Sequence, residues 1–181
     1  MNTFFTSDTH FGHKRICELA GRPFANVKAM DEALVRNWNA TVGADDQVFH
    51  LGDFSFHGAD ATRALLARLN GHVRLVTGNH DRHMSAHTLG LFERVDALTT
   101  VKIGERKVVL CHFPIESWDG MHKGALHFHG HSHGSLRRLL RGRLDVGVDC
   151  HDYRPIEASE AIRIALSRGD ATPVDHHGRR D

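Results

Sequence analysis

Aspartate, asparagine and histidine recur in short bursts along this chain, each burst following a β-rich stretch. Asp8 and His10 come first, then Asp53, then Asn79, His80 and Asp81. His112 stands alone, and His129, His131 and His133 follow at alternate positions. Carboxylate oxygens combined with imidazoles suit a borderline divalent ion such as Zn, Mn, Fe or Ni. These side chains are too many for one tetrahedral site. They suffice for two ions about 3.5–4 Å apart that share one carboxylate. The 17 histidines in 181 residues point the same way, since histidine is the commonest metal ligand. Taken singly, Asp8 with His10 reads as a strand-end turn, and His131 with His133 as solvated loop residues. The recurrence at strand ends is what favours a metal site.

Bringing five separate segments to one place takes a sheet. Residues 2–7 read as a strand ending at Asp8, and residues 13–20 as a short helix. Residues 28–40 put Met30, Ala33, Leu34 and Trp38 at helical spacing, with Trp38 expected in the core. Residues 46–51 read as a strand running into Gly52-Asp53, and residues 59–69 as a helix stopped near Gly71. Residues 72–77 read as a strand running into Gly78-Asn79-His80-Asp81. Strand, helix, strand, helix, strand favours a sheet with crossover helices, whose sites form beyond the carboxyl ends of the strands. The second half is β-rich. Val95–Ile103 and Lys107–Cys111 read as a hairpin about Gly104-Glu105, followed by strands at 125–129 and 143–149. A helix over Ser159–Leu166, with Ser159 as N-cap, precedes a polar tail at 169–181. A mixed α/β sandwich in one domain, residues 1–168, is the expectation.

Five blocks in order now carry a resemblance. They are Asp8-Thr9-His10, Gly52-Asp53, Gly78-Asn79-His80-Asp81, His112 after a strand, and Gly130-His131-Ser132-His133. The sequence resembles the calcineurin-like metallophosphoesterase superfamily, and in Phe11-Gly12-His13, Arg22-Pro23-Phe24 and Trp38-Asn39 a small bacterial and phage branch of it. The resemblance implies a four-layer αββα sandwich of two mixed sheets flanked by helices. It implies that Asp8, His10, Asp53 and His133 hold one divalent ion, and that Asp53, Asn79, His112 and His131 hold a second. The ions would be Mn, Fe, Zn or Ni. His80 would protonate the leaving oxygen, with Asp81 orienting it. The implied activity is hydrolysis of a phosphodiester or phosphomonoester, with nucleotides a plausible class, by in-line attack of a hydroxide bridging the ions. A nuclease component acting on nucleic acid is the alternative, and a non-catalytic metal-binding scaffold of the same fold another; the complete ligand set favours an enzyme.

One departure is informative. Many relatives carry GDxxD or GDxxDRG, whereas this chain reads Gly52-Asp53-Phe54-Ser55-Phe56. The missing arginine removes one phosphate contact of protein phosphatases, which argues against a phosphoprotein substrate. His13, His50, His57 and Arg82 are candidates for contacts around the ligands or substrate. His50 reads as a core histidine, and His129 as a strand residue or a support for the ligands. Arg137, Arg138, Arg141 and Arg143 either steer an anionic substrate or form a solvated turn, the second being favoured. Loops 11–27 and 114–125 are expected to set selectivity.

Composition bounds the rest. Lys and Arg number 23 against 22 Asp and Glu, so a net charge of +1 gives no global attraction to nucleic acid or membranes. No apolar run approaches the roughly 20 residues of a membrane span, and the first residues lack the pattern of a signal peptide. Cys17, Cys111 and Cys150 form no CxxC pair, so neither a zinc ribbon nor a disulfide framework is expected. Free thiols fit a reducing, cytoplasmic location, and the resemblance implies a small phosphoester as partner.

Overall fold

Neighbouring apolar residues in each early strand serve two different cores. The computed structural model describes residues 1–169, so the expected polar tail lies outside the described residues but for Gly169. β1 (Thr3–Thr6) sends Phe4 to one face of its sheet and Phe5 to the other. β2 (Gln47–His50) divides Val48 and Phe49 the same way, and β3 (His72–Val76) divides Leu75 and Val76. Period-two alternation with both faces apolar makes a doubly buried sheet. β4 (Arg94–Asp96) continues the parallel set beside β3, and β9 (Ile156–Glu157) pairs antiparallel with β1 at the far edge.

The outer core is closed by α2 (Val27–Thr41) and α3 (Ala59–Leu66). Asn26 caps α2 by accepting the Ala29 N–H at 3.0 Å. The helix then buries Met30, Leu34, Val35 and Trp38 against Phe4, Val48 and Leu75. Trp38 Nε1 donates to the Asn70 carbonyl at 2.9 Å, so its one polar atom is satisfied.

A second sheet covers the inner face. It runs β5 (Leu98–Ile103), β6 (Arg106–Cys111), β7 (Leu126–His129) and β8 (Arg143–Asp145) in that order. β5 and β6 form the expected antiparallel hairpin, and β6, β7 and β8 are parallel. Phe5 meets Phe128 edge to face across the seam, centroids 4.9 Å apart. After β3 the chain makes a single helical turn, α4 (Ala86–Leu89), and near the end α5 (Ala158–Ser167) adds Ala161 and Ala165 to this inner core. The architecture is therefore two mixed sheets flanked by helices. Outside the second sheet the covering layer is thin: Trp118, Ala125 and Leu140 pack on Val109 from loops.

Four local expectations need correction. The stretch 95–103 is two strands, because the chain changes sheet at Ala97: β4 pairs with β3 and β5 with β6. The strand expected over 143–149 stops at Asp145, and Val148–Cys150 form a 3-10 turn. The helix expected over 13–20 is a single turn, α1 (Ile16–Leu19). The cap of α5 is Glu157, whose carboxylate accepts the Ser159 N–H at 3.3 Å, rather than Ser159 itself. Among the described residues, no helix is long and apolar enough to cross a membrane.

Candidate metal centre

The backbone marks the site before any side chain is considered. Asp8, His10, Asp53, His131 and His133 all have left-handed φ, between 45° and 66°. Such backbone costs of order 1–2 kcal/mol per residue and persists where its surroundings over-determine it. Those surroundings are visible. Asp8 N–H donates to Gly52 O at 2.9 Å and His10 N–H to Asp53 O at 3.0 Å, locking two strand ends together. The Arg22 guanidinium donates to Asp8 O at 2.6 Å and Thr9 O at 3.0 Å. The Asp81 carboxylate accepts the backbone N–H groups of Asp53, Gly78 and Phe54 at 2.7, 2.8 and 3.0 Å. Close approach requires glycine at Gly130 and Gly78 among other positions. A Cβ at Gly130 would lie 2.0 Å from Ser7 Oγ, and one at Gly78 would lie 2.2 Å from Asp53 Oδ1.

All seven expected ligands come together at the carboxyl ends of both sheets. Asp8, His10 and His133 offer donor atoms within 4.8 Å of one another, and so do Asp53, His112 and His131. Asn79 Oδ1 joins the second group, 3.1 Å from His112 Nε2. Asp53 stands between the two: its Oδ2 is 3.7 Å from His10 Nε2 and 3.5 Å from His112 Nε2.

The electrostatics fit cations. Asp8 Oδ1 and both ring nitrogens of His10 are buried and have no hydrogen-bond partner among the described residues. Buried polar atoms without partners are rare because they lose their hydration uncompensated. Burial drives the Asp8 carboxyl up to about 8 and the His10 imidazole down to about 2. The Asp8 shift marks a carboxylate short of a positive partner, which a divalent ion would supply, and the His10 shift keeps the imidazole neutral, the form that ligates a metal. The donor set therefore fits metal ions.

The histidines are also aimed. His112 Nδ1 pairs with Leu51 O at 2.7 Å, which leaves Nε2 facing Asp53 and Asn79. His133 Nδ1 pairs with Asp149 Oδ2 at 2.7 Å, leaving its Nε2 toward Asp8. Arg22 in turn forks onto both Asp149 oxygens at 2.8 Å. Burial opposes charge on His133, but the Asp149 hydrogen bond and the nearby Asp8 raise its pKa overall. Asp149 is lowered, because hydrogen bonds from His133 and Arg22 outweigh its burial. The sequence reading did not assign Arg22 or Asp149 any chemistry.

His80 lies at the mouth of the centre with its side chain 43% exposed, Nε2 3.9 Å from Asp53 Oδ2. Asp81 does not orient it, as had been expected. The Asp81 carboxylate is spent on three backbone amides, and His80 is tied instead by its own N–H to Asp53 Oδ1 at 2.9 Å. His50 is a core residue paired with Thr9 Oγ1 at 2.9 Å, and His129 is buried in β7. His13 stacks on Phe56, while His57 lies 3.6 Å from Asp31. Arg138 and Arg143 ion-pair with Glu116, and Arg143 also donates to Ile115 O, so these two tie loops together away from the centre. Of the two loops expected to set selectivity, 11–27 lines a cleft at the site through His13, Ile16 and Leu19. The other, 114–125, lies instead on the outside of the second sheet, where Trp118 is buried. Residues 55–59 and 83–85 take its place beside His80.

Comparison with known proteins agrees with this fold. An uncharacterized protein of Methanocaldococcus jannaschii is 30% identical over 169 residues, covering 89% of both chains. The gene 66 protein of Mycobacterium phage L5 is 32% identical over 181 residues, covering 82% of this chain and 86% of the phage protein. The crystal structure of a protein of unknown function from Aquifex aeolicus superposes with a TM-score of 0.72 at 22% identity, covering 90% of this chain and 98% of that one. The family model for the calcineurin-like phosphoesterase superfamily domain matches residues 1–145. With that match, and with two strand-end ligand groups meeting at Asp53, the chain belongs to the calcineurin-like phosphoesterase superfamily.

Proposed function

We propose that this protein is a phosphoesterase that works with two divalent ions. The observation that supports it most is the convergence of both ligand groups on Asp53, with buried donor atoms that find no partner among the described residues. Asp8, His10, Asp53 and His133 would hold one ion, and Asp53, Asn79, His112 and His131 the other. When bound, such ions acidify water near neutral pH and place positive charge beside phosphoryl oxygens. The chain supplies the rest. Asp53 would be the shared ligand, because its Oδ2 faces His10 on one side and His112 on the other while Oδ1 accepts the His80 N–H. Asp81 holds the Asp53 backbone in its left-handed turn through three N–H bonds. Leu51 O and Asp149 fix which nitrogen His112 and His133 turn inward. His80, exposed at the mouth, acts as the general acid and gives its proton to the departing ester oxygen.

The test is hydrolysis of bis- and mono-nitrophenyl phosphate after chelation and re-addition of Mn, Ni, Zn or Mg. Turnover should vanish on chelation and return with at least one metal. Absence of metal-dependent turnover of either ester would overturn the reading.

A further inference from the structure

His13 is held more firmly than a residue in a surface loop needs to be. Its backbone N–H donates to His10 O at 3.0 Å. Its ring stacks on Phe56, centroids 4.2 Å apart and planes 9° from parallel. The segments carrying these two rings run side by side beyond the ends of β1 and β2, bridged at Phe11 and Ser55. Phe11 N–H donates to Phe54 O at 3.0 Å, and Phe56 N–H to Phe11 O at 2.8 Å. Gly12 is pinned as well. Both carboxylate oxygens of Asp31, on α2, accept its N–H at 3.2 and 3.1 Å, and the His57 ring lies against it.

The His13 ring has a closed side and an open one. Nδ1 is buried with no hydrogen-bond partner among the described residues, while the residue lines the mouth of the metal centre beside His10, His131 and His133. A neutral imidazole carries a single N–H. With Nδ1 shut away, Nε2 is the nitrogen that can present it to a ligand. The ring lies 5.4 Å from the His10 ring and 6.4 Å from the His80 ring, so it borders the same opening as His80.

A phosphoryl group in that mouth needs donors besides the ions, because its oxygens carry the charge of the transition state. Among the described residues, the mouth is lined by neither lysine nor arginine. Arg22 is spent on Asp149 and two backbone carbonyls. Ser135 gives its hydroxyl to Ser132 O at 2.6 Å. His80 serves the leaving oxygen. His13 is the remaining donor fixed in place by a stacked ring.

We propose that His13 is a substrate-contact residue, whose Nε2 N–H hydrogen-bonds a phosphoryl oxygen of the bound ester. This rests on the phosphoesterase reading above. His13 keeps its proton throughout, and the leaving oxygen still takes its proton from His80. The rigid mounting suits the role: a donor set in position before the substrate arrives costs no reorganisation as charge develops.

The test uses the full chain loaded with Mn2+ and three readouts: metal content, kcat/KM for bis-nitrophenyl phosphate, and calorimetric affinity for inorganic phosphate. Three substitutions separate the donor from the ring. His13→Ala removes both, His13→Phe keeps the stacking ring without the donor, and His13→Gln restores an N–H without the ring. His13→Ala and His13→Phe should keep the wild-type metal content and lose about 10–100-fold in kcat/KM, as removal of a hydrogen bond to a charged group predicts. Both should bind phosphate about tenfold more weakly or worse, and His13→Gln should recover most of both losses. A His13→Phe variant that matches wild type would overturn the proposal, by making the ring a wall of the cleft. Loss of metal from all three variants would overturn it too, by making His13 a support for His10. If wild type hydrolyses no ester, the phosphoesterase reading fails on its own. Phosphate affinity then still decides His13: weakening in the Ala and Phe variants with recovery in Gln upholds the contact, and equal affinity, or no binding to wild type, overturns it.

Discussion

Arg22 touches three parts of the centre at once: the carbonyls of Asp8 and Thr9, and both oxygens of Asp149. Through Asp149 it reaches His133, and through the backbone it holds the left-handed turn that presents Asp8 and His10. Asp149→Asn removes the charge behind His133 without removing bulk. It should weaken one of two metal-binding events about 10–100-fold and spare the other, as read by calorimetric titration with Mn2+ or Zn2+. Asp53→Ala is expected to be harsher. Both binding events should weaken together, because Asp53 faces His10 on one side and His112 on the other. His80→Ala should keep both ions, measured by metal analysis, and lose about 10²–10⁴-fold in kcat. Loss of metal in that variant would make His80 a ligand rather than an acid.

At the scale of elements, the site is a property of how strands end. Each of β1, β2, β3, β6 and β7 runs straight into a ligand-bearing turn, and α2 and α3 only press the first sheet into place. Trp38→Ala in α2 should therefore cost about 3–5 kcal/mol of stability while leaving metal affinity nearly unchanged in whatever fraction stays folded, as read by denaturant melts and titration. This is also why so much was legible in the sequence. A β-rich run followed by Asp, Asn or His needs no distant information, so the strands and the polar residues at their ends could be read directly, while the choice of seven of them as ligands is what the family resemblance implies. Arg22 and Asp149 could not be read this way, because they lie 127 residues apart and meet only since β8 stops early. Nor does a β-rich stretch announce a change of sheet, so Ala97 passed unnoticed as the junction between β4 and β5. Asp81 was misread for a related reason: its backbone partners are set by the turn, not by its neighbour His80.

For the molecule as a whole, histidine burial sets the response to acid. His50 and His127 are core residues whose burial pushes their pKa down to about 3 from an ordinary 6.5. His127 stays neutral while it accepts the Ile115 N–H at 3.0 Å and pairs with Val109 O at 3.1 Å. The unfolded chain takes up protons at these positions below about pH 6.5, and the folded chain does not until about pH 3. The contribution of these two histidines should be full above that window and fall as pH drops through it, by up to about 1.4 kcal/mol per pH unit for each, while the raised Asp8 carboxyl works in the opposite sense. Thermal melts of chelated protein should show this, and His127→Gln, which cannot titrate, should flatten the slope. The two sheets have a further consequence. Asp8, His10 and Asp53 hang from the first sheet, and His112, His131 and His133 from the second. Ions held by these residues would rivet the open end of the seam between them. Chelation should speed amide hydrogen exchange at the carboxyl ends of β1, β2, β6 and β7 together and leave α2 as protected as before. Metal loading would then be a mechanical matter as well as a chemical one: the ions proposed to activate water would also decide whether the two halves of the molecule breathe apart.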